Sequence, residues 1–254
     1  MKVAVYVFTG LVAGVFSGAM GVGGAIVATP LLRLAGISPY LAVGTTVPAI
    51  LPGALTGAWT YMRAKFVDVR TVLLVGTPGA VFSFLGARAT RAVNGHVLMI
   101  LTAGVLAVLS FRLARQSAPE VPPEDGGRQG GMPAFGLLGA AAGFGSGLLG
   151  IGGGSLLVPV LSRAFSFPIK MALGTSLAII SIMALPNIIG QAEVGNINWN
   201  AALLLGAGII PGARVGSLLA LKAPDRTVKL VVGATLGAVA VLYAAIETAA
   251  LGSS

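Results

Sequence analysis

The sequence predicts an all-α integral membrane protein made of two inverted-topology repeats, each a broken, re-entrant helical hairpin followed by three transmembrane helices. Of its 254 residues, 56% are hydrophobic and only 9% are charged, whereas a soluble domain usually has about 25% charged residues. Apolar stretches of about 20 residues, the length that crosses a bilayer, recur along the chain. The pattern of the first half returns in the second half. We therefore expect a multi-pass protein of the cell (inner) membrane.

The composition limits the chemistry that the protein can perform. The chain has no cysteine and a single histidine, His96, which excludes disulfides, thiolate chemistry and multi-histidine metal sites. We expect neither a metal nor a cofactor. The net charge of +9 comes from basic residues scattered in short loops. This pattern is typical of topology control in the lipid bilayer and indicates no nucleic-acid partner.

The two halves align when the sequence is shifted by 129–130 residues. At 129, Ser17, Gly18, Gly21, Gly23, Gly24 and Pro30 fall on Ser146, Gly147, Gly150, Gly152, Gly153 and Pro159. After a one-residue insertion, 44–46 fall on 174–176, and 66–76 fall on 196–206. Matches in the same order over such a length indicate a duplication.

Each half contains five apolar segments, the first of which runs into a glycine cluster. The segments are 3–20, 25–35, 39–62, 69–90 and 96–113 in the first half, and 133–149, 154–165, 168–190, 199–221 and 227–249 in the second. Residues 3–20 resemble a signal peptide, but 135–148 repeat them inside the chain, so we expect them to remain in the mature protein. The second segment of each half has about a dozen residues and reaches only partway across the bilayer.

The repeats are predicted as residues 1–115 and 132–254. Residues 116–131 between them are rich in proline and glycine and contain three of the seven acidic residues. This composition is typical of a solvated, flexible linker. We expect the linker to lie in the cytoplasm.

The basic residues favour a re-entrant hairpin at each glycine cluster. If each cluster belonged to a single span, the two membrane sides would hold almost equal numbers of basic residues. If it forms a hairpin that enters and leaves on one side, eleven lie on one side and four on the other, as the positive-inside rule expects. The hairpin topology makes the halves inverted copies, with both termini outside.

The glycine clusters, MGVGGAIVATP (20–30) and LGIGGGSLLVP (149–159), predict an anion site. A broken helix in lipid must be buried in protein or line a wet cavity, and broken helices in inverted repeats mark substrate sites. The free amides at the start of the new helix attract anions. Close packing is the alternative, and we favour it for the other glycines. The candidate site glycines are Gly21, Gly23, Gly24, Gly150, Gly152, Gly153 and Gly154.

Polar side chains could complete the site. Their hydroxyls could donate to an oxyanion or bond to their own helix carbonyls; the candidates are Thr45, Thr46, Ser155, Thr175 and Ser176. Asn187, beside Pro186, could face the cavity. Arg214 lies inside a predicted span, so it either pairs with an oxyanion or snorkels toward the membrane surface.

These motifs resemble the TauE/SafE family of sulfite and organosulfonate exporters. The resemblance rests on SGLLGIGGGSLLVPVL (146–161), its weaker copy SGAMGVGGAIVATPLL (17–32), AVGTT (42–46), ALGTS (172–176) and PGARVGS (211–217). It implies a carrier of small sulfur-containing anions, such as sulfite, thiosulfate or sulfonates like sulfoacetate. We expect alternating access around the two glycine clusters. The sequence leaves a homo-oligomer open.

Two other functions stay open at this point. A passive anion channel has the same sequence features as a carrier. An intramembrane Ser–His hydrolase would need Ser146 of GSG (145–147) and His96 to meet. However, Ser146 matches Ser17 in the other half, while His96 matches Arg226. We therefore expect a protein that is not an enzyme.

Overall fold

A computed structural model describes residues 2–114, 131–150 and 152–252 of the chain. These residues form ten α-helices and one 3-10 turn, Thr90–Ala92, and they contain no strand. The helices are α1 (Lys2–Met20), α2 (Ala25–Leu34), α3 (Pro39–Arg63), α4 (Val69–Ala89), α5 (Gly95–Ala114), α6 (Met132–Leu149), α7 (Gly154–Arg163), α8 (Ile169–Glu193), α9 (Trp199–Lys222) and α10 (Asp225–Gly252). The all-α prediction is confirmed. Apart from Gly131, the predicted linker lies outside the described residues.

Several of these helices are suited to a bilayer. Among the described residues, six are long and apolar enough to cross a membrane, namely α1, α3, α4, α6, α8 and α9. Large apolar side chains cover the outside of the bundle, including Leu137, Leu203 and Val241, each at least 70% exposed. Such a surface fits lipid and not water. The protein is therefore a multi-pass membrane protein, as predicted.

Each short helix folds back along the long helix before it. At the start of α2, a Cβ added to Gly24 would lie 2.8 Å from the carbonyl oxygen of Ala13 and 3.1 Å from Cβ of Ser17, both in α1. At the start of α7, a Cβ added to Gly153 would lie 3.3 Å from the carbonyl oxygen of Ala142 and 3.4 Å from Cβ of Ser146, both in α6. Just after α7, the ring of Phe165 stacks on Phe135 near the start of α6, with centroids 4.2 Å apart. Helix α7 therefore runs antiparallel to α6, and the two form a hairpin.

Seams of glycine join each hairpin to the other half of the chain. On α1, Gly10, Gly14 and Gly18 lie against the backbone of Leu205, Ile209 and Ala213 in α9. On α6, Gly139, Gly143 and Gly147 lie against the backbone of Val75, Gly79 and Ser83 in α4. These are counterpart contacts in the duplication. Because the residue numbers ascend together, α1 is parallel to α9 and α6 is parallel to α4. Close packing, the favoured interpretation of Gly10, Gly14, Gly139 and Gly143, is confirmed.

Other contacts give the directions of α3 and α8. Helix α3 is parallel to α9, because Gly53 contacts Ile209 and Gly57 contacts Ser217. Helix α4 is parallel to α8, because Gly76 contacts Ile182 and Ala87 contacts Gly190. Between α3 and α8 the order reverses, since Gly57 meets Leu177 and Tyr61 meets Gly174. Helices α1, α3 and α9 thus run one way, and α4, α6 and α8 run the other way. Helix α1 is opposite in direction to its counterpart α6.

Candidate functional site

Both helix breaks depend on glycine backbone conformations. In the first break, Gly21, Gly23 and Gly24 have φ angles of 69°, 82° and 77°. In the second, Gly150, Gly152 and Gly153 have φ angles of 65°, 74° and 66°. Only glycine adopts these angles without a steric cost. All six glycines are buried, so the chain changes direction twice inside the protein.

The two breaks touch each other in the middle of the bundle. A Cβ added to Gly154 would lie 2.5 Å from the carbonyl oxygen of Gly21 and 2.6 Å from Cα of Val22. A Cβ added to Gly23 would meet the side chains of Ile50 and Ile180, which are counterparts in the two halves. In this conformation an anion has no room between Gly21 and Gly154. The sequence predicts an anion site at the glycine clusters, whereas the structure shows a direct backbone contact between them.

The hydroxyls of Thr45 and Thr175 connect the two halves. Thr45 Oγ1 accepts a hydrogen bond from the backbone N–H of Asn198 at 2.9 Å. Thr175 Oγ1 accepts one from the backbone N–H of Asp68 at 3.0 Å. Asp68 and Asn198 are the N-cap residues of α4 and α9. Both threonines therefore hold helix starts of the opposite half in place.

The hydroxyls of Thr46 and Ser176 donate to their own helices, at 2.8 Å to the carbonyls of Val43 and Leu173. Ser176 Oγ also lies 2.6 Å from the carbonyl oxygen of Gly21. Of these four predicted hydroxyls, Ser176 is the one whose hydrogen bonds reach a break.

Two predicted residues at the second break have buried oxygens without a hydrogen-bond partner. Ser155, the second residue of α7, is fully buried, and its Oγ is unpaired. Asn187 of α8 is 2% exposed, and its Oδ1 is unpaired. A buried polar atom without a partner is uncommon and costs about 1–3 kcal/mol. These two atoms are the strongest structural indication of a ligand.

The position of Asn187 on α8 shows what it faces. Met183 and Gln191 lie one helical turn on either side of it, on the same face of the helix. The methyl carbon of Met183 lies 3.1 Å from a Cβ added to Gly153. Gln191 Nε2 donates to the carbonyl of Gly147 at 2.9 Å. Asn187 therefore faces the end of α6 and the second break.

The first break lacks these polar groups. The counterpart of Ser155 is Ile26, and the counterpart of Asn187 is Gly57. Ser17 Oγ is also buried and unpaired, and its Cβ lies 3.1 Å from a Cβ added to Gly24. The candidate site is thus asymmetric and more polar at the second break.

The structure does not bring Arg214 to the breaks. Its side chain lies on the exposed face of α9, with Ile210 and Leu218, which are both 44% exposed. This face points away from the bundle. Snorkelling, the second interpretation of Arg214, agrees with this position.

Two polar residues near the site were missed from the sequence. Tyr61 donates its hydroxyl to the carbonyl of Gly18 at 3.0 Å, and its counterpart Gln191 donates to Gly147, the counterpart of Gly18. Both bonds hold the last turn of a long helix before its break. A signal was present for Gln191, because a side-chain amide inside an apolar segment needs a partner.

The comparisons with known proteins point to a membrane transporter. The family model of the sulfite exporter TauE/SafE matches residues 6–243. The probable membrane transporter protein YunE of Bacillus subtilis is 28% identical, covering 91% of this chain and 93% of its own. A probable membrane transporter protein of Xylella fastidiosa is 30% identical, covering 92% and 91%. No solved structure matches the chain.

These relatives and the family are transporters, which sets the hydrolase alternative aside. The family model covers almost the whole chain, including both hairpins and both glycine breaks. The chain therefore belongs to the sulfite exporter TauE/SafE family of membrane transporters.

Proposed function

We propose that this transporter carries a small sulfur-containing anion, such as sulfite, thiosulfate or a sulfonate like sulfoacetate, and binds it at the second break. The observation that carries the proposal is the pair of buried, unpaired oxygens, Ser155 Oγ and Asn187 Oδ1. Both lie on elements that pack at the start of α7. A bound oxyanion would accept a hydrogen bond from Ser155, and Asn187 would meet it through its N–H groups after rotation of the amide, or through Oδ1 if the anion carries a hydrogen.

The chemistry of this position suits an oxyanion. The start of α7 carries the positive end of a helix dipole, equivalent to roughly half a charge. Ser155 offers an O–H donor in the first turn. The amide of Asn187 offers a donor after rotation about its last bond, and an acceptor to a ligand that carries a hydrogen. The other predicted site glycines would shape the backbone of the breaks. The hydroxyls of the remaining candidates would stabilise the surrounding backbone through hydrogen bonds and would not contact the anion; these are Thr45, Thr46, Thr175 and Ser176. The proposal leaves out Arg214.

We also propose that residues 1–115 and 132–254 are inverted-topology repeats joined by a cytoplasmic linker. The opposite directions of α1 and α6 support this topology, as do the counterpart seams of α1 with α9 and of α6 with α4. The contact between the breaks supports alternating access, because a continuous pore would need a gap there. In this mechanism the breaks separate toward one membrane side at a time.

Counterflow in proteoliposomes tests the function. The purified protein is reconstituted into vesicles loaded with unlabelled sulfite, thiosulfate or sulfoacetate, and uptake of the same labelled anion is measured. Chloride loading is the control. A carrier of these anions gives faster uptake when the vesicles are loaded with substrate. Electrical conductance without such acceleration would favour the channel, and no movement of any sulfur anion would contradict the proposal.

A further inference from the structure

A line of polar side chains leads from one end of the bundle to the second break. Asn196 Nδ2 lies 3.2 Å from Thr90 Oγ1 and 3.0 Å from Gln191 Oε1. Gln191 Nε2 in turn donates to the carbonyl of Gly147. Thr90 and Gln191 are fully buried, and Asn196 is 9% exposed. The 3-10 turn after α4, the end of α8 and the end of α6 are therefore joined by side-chain amides and a hydroxyl.

Charged residues mark the outer end of this line. Arg88 pairs with Glu193 at 3.5 Å, and Arg91 donates to the backbone carbonyl of Glu193 at 2.6 Å. All three residues are exposed. Two arginines against one glutamate leave a net positive charge, which attracts anions to this point of the surface.

The inner end of the line reaches the proposed binding position. Asn187 lies one turn of α8 from Gln191 on the same face, and its Oδ1 is buried and unpaired. Polar groups thus follow one another from the surface at Arg88 and Arg91, through Asn196 and Gln191, to the second break.

The counterpart positions at the opposite end of the bundle are mostly apolar. With an offset of 130 residues, Thr90 corresponds to Ala220, Asn196 to Phe66, and Asn187 to Gly57. Arg88 and Arg91 correspond to Leu218 and Leu221, Gln191 to Tyr61, and Glu193 to the exposed Arg63. The side chain of this set that makes a buried hydrogen bond is Tyr61, whose hydroxyl donates to Gly18. The backbone carbonyl of Leu221 also accepts a hydrogen bond from Lys170 at 3.0 Å, and Lys170 pairs with the exposed Asp225. Phe66 packs against the hydrophobic core.

We propose that the two ends are gates of unequal chemistry, and that the resting transporter opens to water at the polar end formed by Arg88, Thr90, Arg91, Gln191, Glu193 and Asn196. This inference rests on the proposed function, since it describes the route to the same site. Water and an anion exchange hydrogen bonds readily with amides, whereas apolar side chains give them none. The apolar end is the seal that opens after the substrate has bound.

Single cysteines test this inference directly, because the natural chain contains none. Thr90→Cys and Ala220→Cys form a matched pair, since both residues are small, buried and at counterpart positions. Asn196→Cys and Phe66→Cys form a second pair. Ala35→Cys and Ala164→Cys, at exposed positions after α2 and α7, report which end a reagent reaches. A membrane-impermeant maleimide is applied to vesicles of both orientations without substrate.

We expect Thr90→Cys to react at least about tenfold faster than Ala220→Cys, each measured relative to the exposed reference at its own end, because only a hydrated thiol ionises and reacts. The second pair should show the same order. Equal rates, or faster reaction at Ala220→Cys and Phe66→Cys, would overturn the inference. If one pair fails to fold, the other pair decides.

The labelling needs no substrate, so it separates this inference from the proposed function. Equal labelling with normal sulfur-anion counterflow would overturn the unequal gates alone. Unequal labelling with no counterflow of any sulfur anion would support the gates and contradict the proposed substrate.

Discussion

At the scale of single residues, the second break keeps polar atoms that folding would avoid. An unpaired hydroxyl in an apolar interior costs about 1–3 kcal/mol. Ser155 Oγ and Asn187 Oδ1 both carry this cost, while Ser83, equally buried, donates to the carbonyls of Ala80 and Met183 at 2.8 and 2.9 Å. This contrast supports the proposal that Ser155 and Asn187 bind a ligand, whereas Ser83 stabilises the fold.

Ser155→Ala should lower transport without lowering stability. The change removes an unpaired hydroxyl, so we expect the melting temperature in detergent to stay the same or rise. The rate of sulfur-anion counterflow should fall at least about tenfold, since one hydrogen bond to a charged ligand is worth roughly 1.5–3 kcal/mol. Normal counterflow by the folded variant would contradict a role in binding.

Ser83→Ala is the matched control for this substitution. It removes a hydroxyl whose hydrogen bonds are satisfied in the structure. The free energy of unfolding should therefore fall by about 1 kcal/mol, and the melting temperature should fall with it. The affinity of the remaining folded protein for the anion should stay within twofold of the natural value.

Gly153→Ala and Gly195→Ala separate backbone strain from the site itself. Gly153 and Gly195 have φ angles of 66° and 77°, so an alanine is strained at both positions. Gly195 faces open space, whereas a Cβ on Gly153 would lie 3.1 Å from Met183 and disturb the start of α7. We expect counterflow to be lost in Gly153→Ala and retained in Gly195→Ala. Loss in both variants would assign the effect to strain alone.

At the scale of elements, small residues allow helix backbones to touch. The glycines of α1 and α6 lie against carbonyl groups of α9 and α4, an arrangement that favours association in lipid, where helices gain little from hydrophobic burial. The long helix of each hairpin therefore packs along a helix of the other half, and each break follows the last of these glycine contacts.

Gly143→Ala and Gly145→Ala test the seam within one helix. A Cβ on Gly143 would collide with the backbone of Gly79, whereas a Cβ on Gly145 meets nothing within 4 Å. Alanine stabilises a helix by about 1 kcal/mol over glycine. Gly145→Ala should therefore keep or raise the melting temperature, and Gly143→Ala should lower it. Equal melting temperatures would contradict the seam.

The elements could be predicted from sequence more fully than the site. Apolar length and the duplication predicted every described helix to within three residues at each end. The contacts between halves were not predictable, because the hydrophobic periodicity of a helix does not show which other helix packs against it. For this reason the bonds of Thr45 and Thr175 to the opposite half were missed. Arg214, in contrast, lies between Gly212 and Gly216, whose i,i+4 spacing forms the face packed on α1. Its outward position could have been deduced from that spacing.

At the scale of the whole molecule, the two halves are interlocked. Helix α1 packs along α9, α6 packs along α4, and α5 packs with α10, so the main partner of each of these helices belongs to the other repeat. A half alone would expose its glycine seam and its broken helix to lipid, which leaves backbone groups unsatisfied. We therefore expect that neither sequence repeat folds independently.

Separate expression of residues 1–115 and 132–254 tests this interlocking. We expect each half alone to be degraded or to aggregate, because its seam lacks a partner. Co-expressed halves should assemble and co-purify through a tag on one of them, and they should restore counterflow without residues 116–131. The full chain with the linker intact is the control. If one half alone gives a stable, monodisperse preparation, the interlocked arrangement is wrong, and the two repeats fold before they meet.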